Sequence, residues 1–403
     1  MKRLQAYKFQ LRPKHEQAQQ MLRFAGCCRF VWNKALALEK NVYASDGKRN
    51  GYSKLAGFLV GWKSEDTTSF LADSHSQILQ QTLKDLERAC INFFQKRASF
   101  PCFKKKSEND SFRYPQGFKV DEGNSRIYLP KIGWVRYRNS RSIQGQPKNV
   151  TVSLHAGKWY VSVQTERMVA EPVHPSTSAV GIDMGIANFA TLSDGTYIAP
   201  INALRAYGKT LARLQRKFSR KRKFSANWRK IKVKIQILYQ KITRIRKDFL
   251  NKLTTAISKN HALVVMEDLK VKKMATSASG TLDAPGRNVR AKSGLNKSIL
   301  DQGWSEFRRQ LEYKLLWFGG RLLVIPPQYT SQTCNICGCV DKLNRPSQAK
   351  FVCVACGYEA NADYNAALNI LAVGQTVTAC GVEKSLASTV NQEPTYRSLG
   401  KAV

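Results

Sequence analysis

Apolar positions recur along this chain with two alternating periods, and the switches between them mark out its parts. Residues 4–11 (LQAYKFQL) alternate apolar and polar side chains, as a half-buried strand does, and Arg12-Pro13 ends the run. From Lys14 to about Lys40 the spacing lengthens to that of an amphipathic helix. SQILQQTLKDLERACINFFQKR predicts a second helix, with a stripe of Ile78, Leu79, Thr82, Leu83, Leu86, Ala89, Cys90 and Phe93; YASDGKRNGYS between the two reads as loop. After FPCFKKK the strand period returns through RIYLPKIGWVRYR and NVTVSLHAGKWYVSVQTE, with glycine in the turns. The Pro/Ser segment EPVHPSTS (171–178) is the clearest linker.

Beyond it the pattern predicts strands at 180–192 and around 196–199. Leu204, Tyr207, Leu211, Leu214 and Phe218, then Ile231, Ile235, Leu238, Ile242, Ile245 and Phe249, recur every three or four residues and predict an antiparallel helical hairpin with a heptad-like seam. ALVVMEDL (262–269) reads as a buried strand, and the Gly/Ser-rich run 274–298 as a mobile loop with the makings of a lid. GWSEFRRQLEYKLLWFGG is an amphipathic helix with a glycine stop, and RLLVIPP a short strand. The polar stretch past Gln375 is expected to be disordered.

Composition changes the picture in one respect. Apolar and aromatic contents of 43% and 10% are those of a globular protein, but 66 Lys+Arg stand against 28 Asp+Glu, a net charge of +38. Such an excess repels itself in a folded chain and points to a polyanionic partner. It is spread over the whole chain and crowds the faces of the hairpin, where Asp248 is almost the only acid, so Arg213, Arg216, Lys217, Arg220, Arg222 and Arg229 are candidates for phosphate contact. A merely solvated helix face usually mixes both signs. MKRLQAYKFQLRP lacks the apolar centre of a signal peptide, and no run approaches membrane-spanning length. Ten cysteines, five of them clustered late, fit a metal site in a reducing cytoplasm better than a disulfide framework.

Two constellations carry chemistry. Cys334 and Cys337 (CNICG) and Cys353 and Cys356 (CVACG) form two CxxC knuckles, the spacing of a closed structural Zn2+ site; Cys339 is spare. The other is a set of acids. Asp183 stands in mid-strand within the apolar run AVGIDMGIANFATLSDG (179–195), where a carboxylate is costly unless a salt bridge or a metal pairs it. Glu267 closes LVVM, and Asp363 opens the helical ADYNAALNI. Taken singly, Glu267 reads as a strand-end surface acid and Asp363 as a helix cap. Together, two acids on neighbouring strands and one on a crossing helix can hold two Mg2+ ions for phosphodiester hydrolysis. The GIDMG hairpin also occurs in actin-like ATPases and sugar kinases, but a second phosphate-binding hairpin and the Walker pattern are both missing.

These motifs have a family likeness. GIDMGIANFATLSDG, VVMEDL, PQYTSQTCNICG, FVCVACG and ADYNAALNI occur in the order found in TnpB, the transposon-associated RNA-guided nuclease related to type V CRISPR effectors, and the chain resembles that family over most of its length. The resemblance implies an α/β RNase H-like (RuvC) nuclease domain at 179–330 and 358–374, interrupted by a zinc ribbon at 331–357. It also implies a wedge β-barrel at 1–13 and 101–172, a helical recognition insertion at 14–100 and a tail at 375–403. Asp183, Glu267 and Asp363 match the family's metal-binding acids. Its members take a guide RNA from the transposon end, read a short motif beside the target and cut double-stranded DNA. Tyr52, Ser76, Gln77 and Gln80 are candidates for reading that motif. Where the family often has a further acid two residues before its last catalytic Asp, this chain has Asn361. The readings to be weighed against a nuclease are a non-cleaving RNA-guided repressor and a strand-joining transposase.

Overall fold

Alternation in the first residues produces a strand longer than the alternating run itself, β1 (Lys2–Arg12). The computed structural model describes residues 1–106, 108–281 and 283–379, and these divide into two units between Ala170 and Glu171, where the Pro/Ser segment begins.

In the first unit β1 is followed by helices α1 (His15–Asp46), α2 (Gly51–Ser64) and α3 (Ser76–Phe94). Six strands come next: β2 (Ser111–Tyr114), β3 (Lys119–Asp121), β4 (Arg126–Leu129), β5 (Gly133–Tyr137), β6 (Gln146–His155) and β7 (Lys158–Met168). They make one antiparallel sheet in the order β2-β6-β7-β1-β5-β4-β3, in which β1 pairs with β7 along Lys2 to Gln10 and with β5 at Leu11 and Arg12. The ladder ends on β2 and β3, so the expected barrel is an open sheet in its backbone hydrogen bonding among the described residues. Tyr7, Phe9 and Leu11 share one face of β1 and join a core with Phe24 and Val31 of α1 and Leu79 and Leu83 of α3.

The loop expected at 43–53 is mostly helix. α1 runs on to Asp46, Gly47 ends it in the left-handed conformation (φ 64°) with its N–H on Tyr43 O, and α2 starts four residues later. α2 buries Leu55, Leu59 and Trp62, a helical spacing that the polar residues before it obscure.

The second unit opens with β8 (Ala179–Asp183), β9 (Ala190–Leu192) and β10 (Tyr197–Ile198), so the single strand expected at 180–192 is two strands and a turn. The hairpin helices α4 (Ala203–Ser219) and α5 (Ala226–Asn260) follow, then β11 (Leu263–Glu267) and α6 (Val271–Met274). α7 (Val289–Gln302), α8 (Trp304–Phe318) and β12 (Arg321–Ile325) lead to the small pair β13 (Lys350–Val352) and β14 (Glu359–Asn361), and α9 (Ala362–Ala379) closes the described chain. The main sheet has the order β10-β9-β8-β11-β12, with β8, β11 and β12 parallel. α7 takes up much of the segment expected as a mobile loop, and α9 continues past Gln375, where disorder was expected; the rest of that tail, 380–403, lies outside the described residues.

Both faces of the sheet are covered. Val180, Ile182, Val264 and Met266 pack on Leu250 and Ile257 of α5 and Phe307 and Leu311 of α8. Val265, on the opposite face, packs with Ile370 of α9. On that face α9 comes so close that a Cβ at Gly181 would lie 2.2 Å from Ala367 O, and one at Gly374 would lie 2.4 Å from a Val265 methyl. Glycine is required at Gly181 for space, with no positive φ involved. The hairpin seam forms as expected, with Leu211 and Ile242 buried and the Phe218 and Trp228 rings 4.8 Å apart at its turn. Its base is tied down by the buried Asp301, which accepts from Leu204 N (2.8 Å) and pairs with Arg246 (2.5 Å).

Gly181→Ala tests this packing. One methyl against helix backbone should cost about 1–3 kcal/mol, lowering the thermal midpoint by several degrees, while Gly208→Ala, where no heavy atom lies within 4 Å, should leave it unchanged or raised.

Candidate metal centres

Three acids meet at one edge of the main sheet because three elements begin or end there. Asp183 is the last residue of β8, not in mid-strand as its setting implied. The chain turns away at once, with Gly185 N–H bonded to Phe189 O at 3.3 Å. Glu267 is the last residue of β11, and the parallel register Met266↔Ile182 carries it to the level of Asp183. Asp363 is in the first turn of α9, the helix laid across both strands. Carboxyl ends of parallel strands are where α/β sheets present ligand groups. Asn361 accounts for the departure from the family pattern. Its Oδ1 accepts from Asp363 N (3.0 Å) and Tyr364 N (3.2 Å), capping α9 without adding another negative charge.

The electrostatics are those of crowded, buried acids. Burial, then Glu267, then Asp363 push the Asp183 carboxyl up to about 7, although Arg345 and the Met184 backbone oppose the shift. Burial raises Glu267 as well, against a hydrogen bond from Thr330 Oγ1 (2.5 Å). Arg345 is the site residue that sequence reading missed, since nothing in RPSQ distinguishes it from the other cations. Its Nη2 lies 3.4 Å from Asp363 Oδ1 and donates to Gln348 O at 2.9 Å. One long contact does not compensate three carboxylates, because Asp183 remains raised with Arg345 present. This donor set, oxygen only and short of positive charge, fits hard divalent cations. Among the described residues the four cysteines are the one group of three or more metal-ligating side chains with all donor atoms within 4.8 Å of one another.

Those four cysteines fit a zinc ribbon. Cys334 and Cys356 sulfurs are 3.7 Å apart and those of Cys337 and Cys353 3.5 Å, close to the edge of about 3.8 Å set by four Zn–S bonds of about 2.3 Å. Cys339 stays outside the set, and its carbonyl accepts from Cys334 N. Asn344 locks the two knuckles together by donating to Gln332 O and Cys339 O and accepting from Val354 N. Helix α9 then grips the ribbon. Asn365 Nδ2 donates to Thr333 O (2.8 Å), and Asn369 Nδ2 to Thr330 O (2.9 Å) and Thr333 O (2.7 Å). The ribbon therefore supplies Arg345 to the acids, Thr330 joins them from the residue just before it, and the ribbon steadies the helix that carries Asp363.

The remaining candidates do not converge in this way. Arg213, Arg216, Lys217, Arg220, Arg222 and Arg229 are all exposed on α4, α5 and their turn, with no salt bridge to a described acid. Tyr52, at the start of α2, lies beneath Lys84 and gives its N–H to Glu87, whereas Ser76, at the start of α3, accepts from Lys63 near the other end of α2. Gln80 is exposed on α3, and Gln77 is half-buried. The four are thus strung along the α2–α3 pair. Among the described residues no helix is long and apolar enough to cross a membrane.

Two outcomes follow from this geometry. Cys353→Ser should abolish zinc stoichiometry, measured by mass spectrometry, and increase hydrogen exchange in the first turns of α9; full zinc content would contradict the four-cysteine site. Asp183 holds its proton from its ordinary 3.8 up to about 7, so over that window the folded protein binds more protons than the unfolded chain. In Mg2+-free buffer this one carboxyl should therefore cost the zinc-loaded protein stability as pH rises from about 5.5 to 7, so Asp183→Asn should gain on wild type over that range, read from melting curves.

Comparison with known proteins agrees with these elements. The family model OrfB_IS605, described as "Probable transposase", matches residues 160–278, and a "Cas12f1-like, TNB domain" model matches residues 304–370, which include all four cysteines. A "Helix-turn-helix domain" model covers residues 1–48, here β1 and α1. The chain is 60% identical over 395 residues, 98% of each chain, to the "Putative RNA-guided DNA endonuclease InsQ" of Escherichia coli (strain K12). It is 34% identical over 409 residues to a Streptomyces pristinaespiralis protein of the same description, covering 98% of this chain and 97% of that one. Among solved structures, the "Cryo-EM structure of the Cas12f1-sgRNA-target DNA complex" matches with a TM-score of 0.56 over 89% of this chain and 83% of that one; at 16% identity the likeness is one of fold. Sharing its full length with such relatives, this chain belongs to the OrfB_IS605 transposase family, the TnpB group that its motifs resemble.

Proposed function

We propose that this protein is a Mg2+-dependent endonuclease that cuts double-stranded DNA selected by pairing with a bound guide RNA. The observation that carries the reading is the meeting of Asp183, Glu267 and Asp363, two of them with raised proton affinity, at the carboxyl edge of a parallel sheet. Full-length relatives described as RNA-guided DNA endonucleases support it. On this reading the second unit is an RNase H-like (RuvC) nuclease domain with its zinc ribbon inserted before the last acid. The first unit is the wedge with its helical recognition insertion.

Two Mg2+ ions held by the three carboxylates would supply an activated water and charge stabilisation at the leaving oxygen. The chain's own groups define the rest. Thr330 fixes one Glu267 oxygen and so aims the other, and the Asn361 cap holds the first turn of α9. Arg345 reaches the acid edge from the ribbon and is placed to meet a non-bridging phosphate oxygen. A cavity of about 330 Å3 lies beside Glu267, lined among others by Met184, Trp304, Arg308 and Glu312. The exposed cations of the hairpin hold the nucleic-acid backbone without reading sequence, as suits a protein whose specificity comes from base pairing. Motif reading falls to the α2–α3 pair, with Gln80 its exposed amide.

The Arg345–Asp363 contact is the one feature that favours a non-cleaving, RNA-guided binder. A cleavage assay decides between them. Ribonucleoprotein isolated with its co-purifying RNA should cut a matched duplex in Mg2+ and leave it intact in EDTA. Asp183→Ala should reduce cutting to background with guide and duplex affinity near wild type. Binding without cutting by the wild-type complex would favour the repressor, and joined-strand products would favour a transposase.

A further inference from the structure

The first unit carries a surface that neither metal centre uses. Tyr43, Phe94, Phe100 and Phe103 are 48%, 46%, 36% and 49% exposed. Scattered apolar side chains of this kind are ordinary, but these are contiguous. Tyr43 and Phe94 rings are 5.8 Å apart, and Phe93 links Phe94 (5.2 Å) to Phe100 (5.1 Å). Cations sit on the same rings. Lys40 Nζ is 5.6 Å from the Phe100 centroid and 4.7 Å from that of Phe103, and the Arg49 guanidinium is 5.3 Å from that of Phe94.

At one end the row opens into a cleft of about 560 Å3 between Tyr43, Phe94 and the turn from Gly47 to Gly51, where Lys48, Arg49 and Asn50 line the wall. Arg49, on that wall, also reaches the buried Cys90 thiol behind it. The surface is also held in shape. Asn50 N–H bonds Glu39 Oε1 (3.2 Å) and Tyr52 N–H bonds Glu87 Oε1 (2.9 Å). The segment carrying Phe103 is clamped to α1 by Trp32 Nε1 on Cys102 O (3.0 Å) and by Asn33, bonded to both Lys104 N (2.8 Å) and Lys104 O (3.0 Å).

We propose that this face is a stacking platform for unpaired nucleotides. Bases lie on Tyr43, Phe94 and Phe103, and phosphates meet Lys40, Lys48 and Arg49. Aromatic faces interleaved with cations suit single strands, whose bases are free to leave one another. Paired bases are already stacked, and an apolar protein partner would have to bury the cations. The strand is RNA or DNA, an unpaired guide segment or a displaced DNA strand in the terms of the proposed function, and its binding does not depend on cleavage.

The test uses full-length, zinc-loaded protein freed of nucleic acid, in Mg2+-free buffer, with fluorescein-labelled 12-mers of uridine, of thymidine and of abasic deoxyribose phosphate. Base-bearing strands should bind about tenfold or more tightly than the abasic strand of equal charge. Tyr43→Ala with Phe94→Ala should bring them down to the abasic level without changing the abasic affinity, and Phe94→Trp should retain the preference. A stronger uridine signal would assign the platform to the guide, and a stronger thymidine signal to the displaced strand. Equal binding of abasic and base-bearing strands, or an unchanged preference in the folded double variant, would overturn the proposal. Should the double variant fail to fold, 4-thiouridine crosslinks on the wild type decide: attachment at Tyr43, Phe94 or Phe103 supports the platform, and attachment only elsewhere refutes it. Because no metal or matched target is present, the nuclease reading can fail while this one stands, and the reverse.

Discussion

Helix α9 lies on the main sheet at a distance that only glycine permits. Gly181 on β8 faces helix backbone, and Gly374 on α9 faces Val265 on β11, each with no room for a Cβ. That close approach sets how near the helix lies to the strands, and its first turn, capped by Asn361, holds Asp363. Strand register brings the other two acids level, so one packing constraint turns three distant stretches of sequence into a single acidic edge. The cost is plain in Asp183, which burial and its two neighbours push up to about 7. Buried like charges of this kind are stable as ions only with cations among them.

The ribbon belongs to the same construction. A closed site of four cysteines leaves no open position for a substrate, so its contribution is mechanical. It is bound to α9 through Asn365 and Asn369 and reaches the acids through Thr330 and Arg345. Zinc in the ribbon would therefore bear on the orientation of the oxygen ligands beside it. Charge is divided differently: three acids are gathered at one edge, while exposed cations spread over the hairpin, where a polyanion can be held at many points and read at none.

Much of this was legible in the chain itself. Four cysteines at zinc-ribbon spacing need no tertiary information, and the helical hairpin follows from a seam that repeats over several turns. The acids were legible as a set because Asp183 stood inside an apolar run, Glu267 closed another and Asp363 opened a helix. Their surroundings were not. Asp183 looks mid-strand, since the turn after it is built from apolar residues that continue the strand's composition. α2 and α7 were hidden by polar and glycine-rich flanks, although α2 buries Leu55, Leu59 and Trp62 at helical spacing. Arg345 and Asn361 could not be placed at all, because their partners lie across the ribbon and at a helix start that only the fold defines.

The central claim is that these three carboxylates exist to hold divalent ions. The most direct measurement is the anomalous signal of Mn2+ in crystals of the guide-bound protein. The account predicts two peaks about 4 Å apart, ligated by Asp183, Glu267 and Asp363, with Arg345 drawn off Asp363. An edge without Mn2+, with Arg345 still on Asp363 at a concentration that supports cleavage, would contradict it.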